Sequence, residues 1–551
     1  MLWDMHTSDD RAPGRLRGLW AGLACLLGSG LAAQAPPTWE ELEARQAPIA
    51  GITFRIHEVF DPTHPHEKHW VGRLANLLHI ETREQVVRRE LLFQPGEVVN
   101  ARLIHETERN LRAFRFLKDA WIVPEVDETG AVRAVVHTRD AWTLKGSAGF
   151  SQVGGQRNFG FSVHEANLLG FGKDLMLAHE KTAERSIDTV VYRDRQVLAS
   201  PWTLGARYQS LTDGQTKFLE VARPYRSLET PWALTFSAES SDTVQSIYNL
   251  GLTAYTFRSR WETAFAESSW AWSVEGSRAI RVGGGFDLKR TEFGPIQTLD
   301  AGLLPAPALR GRRLAGLHLT WGLFEAGFRT YRDLAGVVHP EDYNLGWDAT
   351  LSVGSYLGAL GGDGTSPFFR ASLAKGWAPG SGNLLLFQAL SSARHDADGW
   401  QEGLANASLT AYHQGFPYQT QAAYLQVDAT HRPDPDKVLY LGGMDGMRGY
   451  GNHLLLGDRR WMASVEERIL TTYDWLGILQ LGFVVYADAG AIRRTDTGAW
   501  SRTYVDVGGG LRLGNLKSSI GRVFLLTVAY PLVREPGMDH HQFVVGNLVK
   551  F

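Results

Sequence analysis

The residues with most to offer chemically are one arginine and two carboxylates. Arg448 stands in Leu441-Gly442-Gly443-Met444-Asp445-Gly446-Met447-Arg448-Gly449-Tyr450, where four glycines in ten residues let a backbone fold tightly and present one side chain. A guanidinium fixed in this way calls for a carboxylate, and the alternating stretches that follow supply Glu466 and Asp488. The chemistry implied is an ion pair that fastens a loop. No Gly-x-Ser-x-Gly context or carboxylate pair points to a hydrolase, and no catalytic residue, cofactor or metal is expected. Val282-Gly-Gly-Gly-Phe286 and Gly508-Gly-Gly510 are strand glycines with no helix behind them to cradle a phosphate. His64-Pro65-His66-Glu67-Lys68-His69 lacks metal-ligand spacing and reads as solvated loop, and Asp434-Pro435-Asp436 and His540-His541 read as loop residues.

Elements must hold that arginine, and composition limits what they are. A chain of 551 residues exceeds one ordinary core, so two or more units are expected. With 44% hydrophobic and 21% charged residues and a formal net charge of -3, neither disorder nor a nucleic-acid partner is indicated. Its 59 glycines and 18 tryptophans fit a large β protein that meets a membrane interface. Arg11, Arg15 and Arg17 precede an apolar run from Leu19 to Leu31, followed by Ala33-Gln34-Ala35, so 1–35 reads as a signal peptide, with a cut after Ala32 as the alternative. The single cysteine, Cys25, lies in that run, which leaves the mature chain without thiols or disulfides. No later stretch has the eighteen or so apolar residues of a membrane helix, so a membrane home requires a closed barrel.

Residues 36–49 read as a linker in which Trp39 to Arg45 makes one helical turn or two, and 50–142 as a small α/β unit of order β-α-α-β-β. Ile52 to Val59 alternates as a strand, Thr82-Arg83-Glu84-Gln85 has the form of a capping box, and Asn100 caps a second helix. Two strands follow around the turn Asp127-Glu128-Thr129-Gly130. From 143 to 551 the texture is alternating segments split by turn clusters. At roughly 25 residues per strand and connection this gives about sixteen strands of a transmembrane antiparallel β-barrel. In Tyr504 to Leu513, Val505, Val507, Leu511 and Leu513 share one face, while Asp506, Gly508, Gly510 and Arg512 share the other, as an apolar outside and a polar lumen require. The first strand, with Gly146 and Gly149, should pair weakly with a last strand running from Gly546 to Phe551, leaving a seam that can open.

These stretches resemble the BamA/TamA superfamily of outer-membrane barrels with periplasmic POTRA domains. Met447-Arg448-Gly449-Tyr450 is similar to its Val-Arg-Gly-Phe/Tyr loop signature, with Met447 in place of the usual valine. Ser464-Val-Glu466-Glu-Arg468 and Tyr486-Ala-Asp488-Ala-Gly490 are similar to the strands that follow that loop. Asn167-Leu-Leu-Gly170-Phe-Gly172 resembles a motif early in the barrel, and Gly546 to Phe551 resembles the C-terminal β-signal. Trp39 to Asp140 resembles one POTRA domain, above all in Arg109-Asn110-Leu111-Arg112 and Thr138-Arg-Asp140-Ala-Trp142. The resemblance implies a bacterial outer-membrane protein with its N-terminal domain in the periplasm and Arg448 paired with Asp488, Glu466 nearby, inside the lumen. It also implies assembly or insertion of outer-membrane proteins. Implied partners are unfolded outer-membrane clients, outer-membrane lipids, and periplasmic chaperones or lipoproteins. A translocator of the two-partner-secretion kind and a passive pore are the alternatives.

Overall fold

Alternation along the last four hundred residues resolves into twenty antiparallel strands closed on themselves, from Leu144–Val153 to Gln542–Gly546. The computed structural model describes residues 37–61, 70–517 and 523–546. The signal segment, the His64 to His69 stretch and Phe551 lie outside the described residues. The expected sixteen strands become twenty because so many connections are minimal. Gly154-Gly155, Thr212-Asp213, Leu250-Gly251, Gly276-Ser277 and Ala397-Asp398 each join a hairpin with two residues. Gly154 and Gly155 both have positive φ, the turn geometry that follows the twist of paired strands.

The two faces divide by polarity. Leu317, Leu319 and Trp321 point out and are exposed, while His318 between them is buried against Asp287 (2.5 Å) and Glu267 (3.0 Å). Val465, Phe483, Val485, Val507 and Leu511 continue the apolar exterior, and Tyr473, Trp475, Trp270 and Trp272 lie toward the rim nearer the N-terminal unit. A lipid-facing band with aromatic borders around a charged bore is the arrangement a membrane barrel needs. Among the described residues no helix is long and apolar enough to cross a membrane.

Before the barrel, β1 (Ile49–His57), β2 (Leu117–Val126) and β3 (Val132–Asp140) form a sheet of order β1-β3-β2, parallel between β1 and β3 and antiparallel between β2 and β3. Four helices accompany it rather than two: α1 (Trp39–Ala44), α2 (Trp70–Leu78), α3 (Glu84–Arg88) and α4 (Ala101–Arg112). The segment read as linker contains α1, whose Trp39 and Leu42 enter the unit's core and whose Trp39 indole donates to the Ile122 carbonyl at 2.8 Å. Asn100 caps α4, accepting from Leu103 N–H at 3.1 Å. Thr82 caps nothing: its hydroxyl donates to Asp140 at 2.8 Å, and α3 starts at Glu84 without a side-chain cap.

That diversion of Thr82 belongs to the joint between the two units. Asp140, fully buried, accepts from Thr82 N–H (2.9 Å), the Thr82 hydroxyl and His79 (2.8 Å). Asn167, in the connection between strands Gln156–Glu165 and Lys173–Lys181, donates to Thr82 at 2.9 Å and accepts from Gly172 N–H at 2.6 Å. Farther round the rim, Arg112 pairs with Asp342 (2.8 Å), Asn110 donates to the Arg226 carbonyl (2.8 Å), and Arg226 pairs with Glu90 (2.8 Å). Asn110, Arg112, Asp140 and Asn167, four of the residues that carried the resemblance, therefore take part in joining the α/β unit to the mouth of the barrel.

Candidate functional site in the barrel lumen

The connection 432–454, between strands Gln419–His431 and Leu455–Trp475, folds back into the bore and carries Arg448 with it. Successive outward and inward residues on the wall strands Leu455–Trp475 and Leu479–Arg494 put Ser464, Glu466 and Arg468, and then Tyr486 and Asp488, on the luminal side. Arg448 is only 4% exposed and Asp488 1%. The guanidinium grips Asp488 with both oxygens engaged, Nε to Oδ2 at 2.8 Å and Nη2 to Oδ1 at 2.9 Å. Its Nη1 donates to Glu466 at 2.6 Å, its Nη2 to the Ser464 hydroxyl at 3.1 Å, and its plane lies 3.3 Å over the Tyr486 ring. The Ser464 hydroxyl donates to Asp488 at 2.6 Å, so the buried carboxylate is held from two sides. A fork-on-fork arginine contact with a second carboxylate behind it is a rigid fastening, and lysine could not reproduce it.

Its neighbours explain the rest of the tetrapeptide. A Cβ at Gly449 would stand 2.5 Å from the Asp506 Cβ, so the chain can pass the wall there only as glycine. The Tyr450 hydroxyl reaches the carbonyls of Val505 (2.8 Å) and Val533 (3.0 Å), and its ring packs edge-on to Tyr504. Met447 is buried against Leu441, Leu455 and Ile492, an apolar seat that suits a flexible side chain as well as a valine. Nothing in the resemblance singled out Asn452, two residues on. Its amide donates to the Val153 carbonyl and the Gln156 side chain, both at 3.0 Å, tying the loop to the barrel's first hairpin.

Asp434 reads from the sequence as a loop residue, but it is buried and pairs with Lys289 at 3.2 Å and with Arg312. The larger omission is a second insert. Residues 326–346 leave the mouth nearest the α/β unit as a small hairpin, Phe328–Tyr331 with Glu341–Asn344, and its tip enters the bore. Arg468, already bonded to Glu466 at 2.9 Å, donates to the Leu334 carbonyl at 2.5 Å. Arg512 donates to Ala335 O (2.7 Å) and Gly336 O (3.2 Å), and Val337 packs with Val484 and Tyr486. The inserts from opposite mouths thus meet through Arg448, Glu466 and Arg468.

The seam residues lie apart from this cluster. Gly146 and Gly149 sit on the first strand opposite Val163 and Gly160, and Gly546 on the last strand pairs with Leu525. Between first and last strands the described residues give one partner pair, Val545 with Gln152. Gly546 has φ +142, and a Cβ there would press on Ser151 at 3.2 Å.

No family model matches the chain. Over 219 residues, 38% of its length, it is 27% identical to a putative outer membrane protein assembly factor of Treponema pallidum (strain Nichols). Over that stretch the chain is a homologue of this assembly factor. It spans a quarter of the length of that relative. Similar solved structures are BamA from Haemophilus ducreyi lacking POTRA domains 1-3 (13% identical, 91% of this chain and 84% of that one, TM-score 0.39) and CdiB from Escherichia coli (13%, 91% and 76%, TM-score 0.46). CdiB from Acinetobacter baumannii aligns at 13% identity over 91% of this chain and 74% of its own, TM-score 0.44. The lipid-facing band is that of a membrane barrel, and the relative that the chain matches is an outer-membrane protein by its description.

Proposed function

We propose that the protein inserts or assembles outer-membrane β-barrel clients at its wall, with the α/β unit, a POTRA-like module, on the periplasmic side. The observation that carries this reading is that 432–454 and 326–346 enter the bore from opposite ends and are bonded to its wall and, through Glu466 and Arg468, to each other. That favours work at the barrel's edge over passage through the lumen. Unpaired strand amides cost several kcal/mol each in lipid, and a barrel lowers that cost by lending a strand edge as a template. The glycine-bearing first strand, with Gly146 and Gly149, suits an edge that releases and re-forms. The lock of Arg448 on Asp488 and Glu466 keeps loop 432–454 in the bore meanwhile. No catalytic group is needed.

Depletion of the protein tests the reading. Broad loss of outer-membrane barrel proteins is the expected result; loss of a single secreted substrate would make it a translocator, and an unchanged proteome with altered conductance a pore. A disulfide joining the first strand to the last supplies the mechanistic arm, since activity that survives such closure would rule out work at the seam.

A further inference from the structure

The core of the α/β unit is closed by Trp39 and Leu42 of α1, Val86 and Val87 of α3, and Ile104 and Leu111 of α4, and none of the described side chains of α2 belongs to it. The helix is fastened through Ala75 and Asn76. Asn76 accepts from Phe60 N–H at 3.1 Å and donates to Phe60 O at 2.8 Å, and Ala75 packs on Val59 and Phe60. The opposite side is apolar and bare: Trp70 is 69% exposed and Leu77 80%, Leu74 lies between them on the same helical face, and Ile80 follows just beyond the end. Spacing of i, i+4 and i+7 makes this one continuous stripe. Arg73 flanks it, exposed.

Where the stripe lies indicates what covers it. Leu74 and Ala75 share a cleft of about 350 Å³ with Trp142, Lys145, Ile478, Asn515 and Lys517. Ile478 belongs to the turn between wall strands Leu455–Trp475 and Leu479–Arg494, at the rim where Tyr473, Trp475 and Leu476 stand exposed on the lipid side. Leu74 of the bare face thus stands beside the rim that carries this aromatic border. We infer that α2 is an interfacial anchor whose Trp70, Leu74 and Leu77 enter the acyl region of the leaflet on the α/β side, with Arg73 at the headgroups. This is the amphipathic arrangement of a helix lying in the interface plane. It places three large side chains as a wedge in lipid, next to the wall that carries the Arg448 lock and near the start of the first strand. The inference needs only a membrane-embedded barrel and stands whatever the barrel's activity is.

Leu77→Cys in the full chain, with Cys25→Ser, gives a site for an environment-sensitive fluorophore where exposure is too high for the substitution to unfold the unit. Glu128→Cys, in the exposed turn between β2 and β3, is the water-facing control. The protein is reconstituted in vesicles of phosphatidylethanolamine and phosphatidylglycerol. The expected result is that the label at 77 is quenched by lipid bearing a nitroxide high on the acyl chain and is about fivefold less accessible to iodide than the label at 128. Iodide access equal to that at 128 would overturn the inference. So would shielding from iodide without quenching by the lipid nitroxide, which would mean that protein, such as a second copy, covers the face.

Discussion

Two segments enter one bore, and they are held by opposite chemistry. Loop 432–454 is fastened through its own side chain: Arg448 brings the charge and the wall brings Asp488 and Glu466. In hairpin 326–346 the roles are reversed. Inside the bore the wall brings the charges, Arg468 and Arg512, and the tip of the insert meets them with the carbonyls of Leu334, Ala335 and Gly336. A charge pair in a dry site is stiff and fails abruptly when one member goes, whereas cation-to-carbonyl bonds tolerate sliding and substitution along the insert. The contrast suits a loop that stays put and a hairpin that can shift.

Removing Arg448 is the strongest blow to that comparison. Arg448→Ala leaves the buried Asp488 without its cation while Glu466 keeps Arg468, and the expected cost is about 3–5 kcal/mol, read as a lower unfolding midpoint in detergent and new protease cleavage within 432–454. Combining Arg448→Asp with Asp488→Arg should recover part of the loss of either single change; no recovery would mean that the pair is not the fastening. Arg512→Leu should cost less, about 1.5–3 kcal/mol, and expose 326–346 to protease while 432–454 stays protected. If both segments loosen equally, they are not separate devices. Asn452→Ala should cost about 1 kcal/mol and raise hydrogen exchange at the first hairpin turn, leaving both inserts in place.

The smallest effect is a pH dependence that sets the α/β unit apart from the barrel. On its open face His57 and His137 lie 2.9 Å apart, stacked on Trp121. Burial first, then the charges of His57 and Arg55, push His137 down to about 4. A histidine depressed when folded takes up a proton on unfolding, so stability is full above about pH 6.5 and declines as pH falls toward 4. Exchange of β1 and β3 amides should rise over that interval, while wall strands of the barrel stay unchanged, and His137→Phe should flatten the response.

The same asymmetry decides what could be read from the chain itself. Arg448, Glu466 and Asp488 are conspicuous because the contact is made by side chains of a recognisable kind in a glycine-rich setting. Hairpin 326–346 left no trace, since backbone carbonyls have no letter of their own. The alternation at Tyr504 to Leu513 disclosed a two-faced wall, but strand number depends on connection length, and two-residue turns made twenty where about sixteen were expected. Thr82 looked like a helix cap because local pattern outweighs distant partners in any such reading, and Asp140, fifty-eight residues away, claimed its hydroxyl. Gly146, Gly149 and Gly546 were visible as weak strand formers, while the tether from Asn452 to Val153 and Gln156 spans nearly three hundred residues and no local pattern announces it.

The Asp140 joint bears on how force could travel in this molecule. His79 and Thr82 satisfy Asp140 within the N-terminal unit and fix Thr82 for Asn167, so a pivot of that unit breaks the bonds that cross to the barrel, Asn167 with Thr82, Asp342 with Arg112, and Arg226 with Glu90. The unit behaves as a fixed shelf under the cylinder's rim rather than a swinging arm, so any passenger must move relative to the shelf.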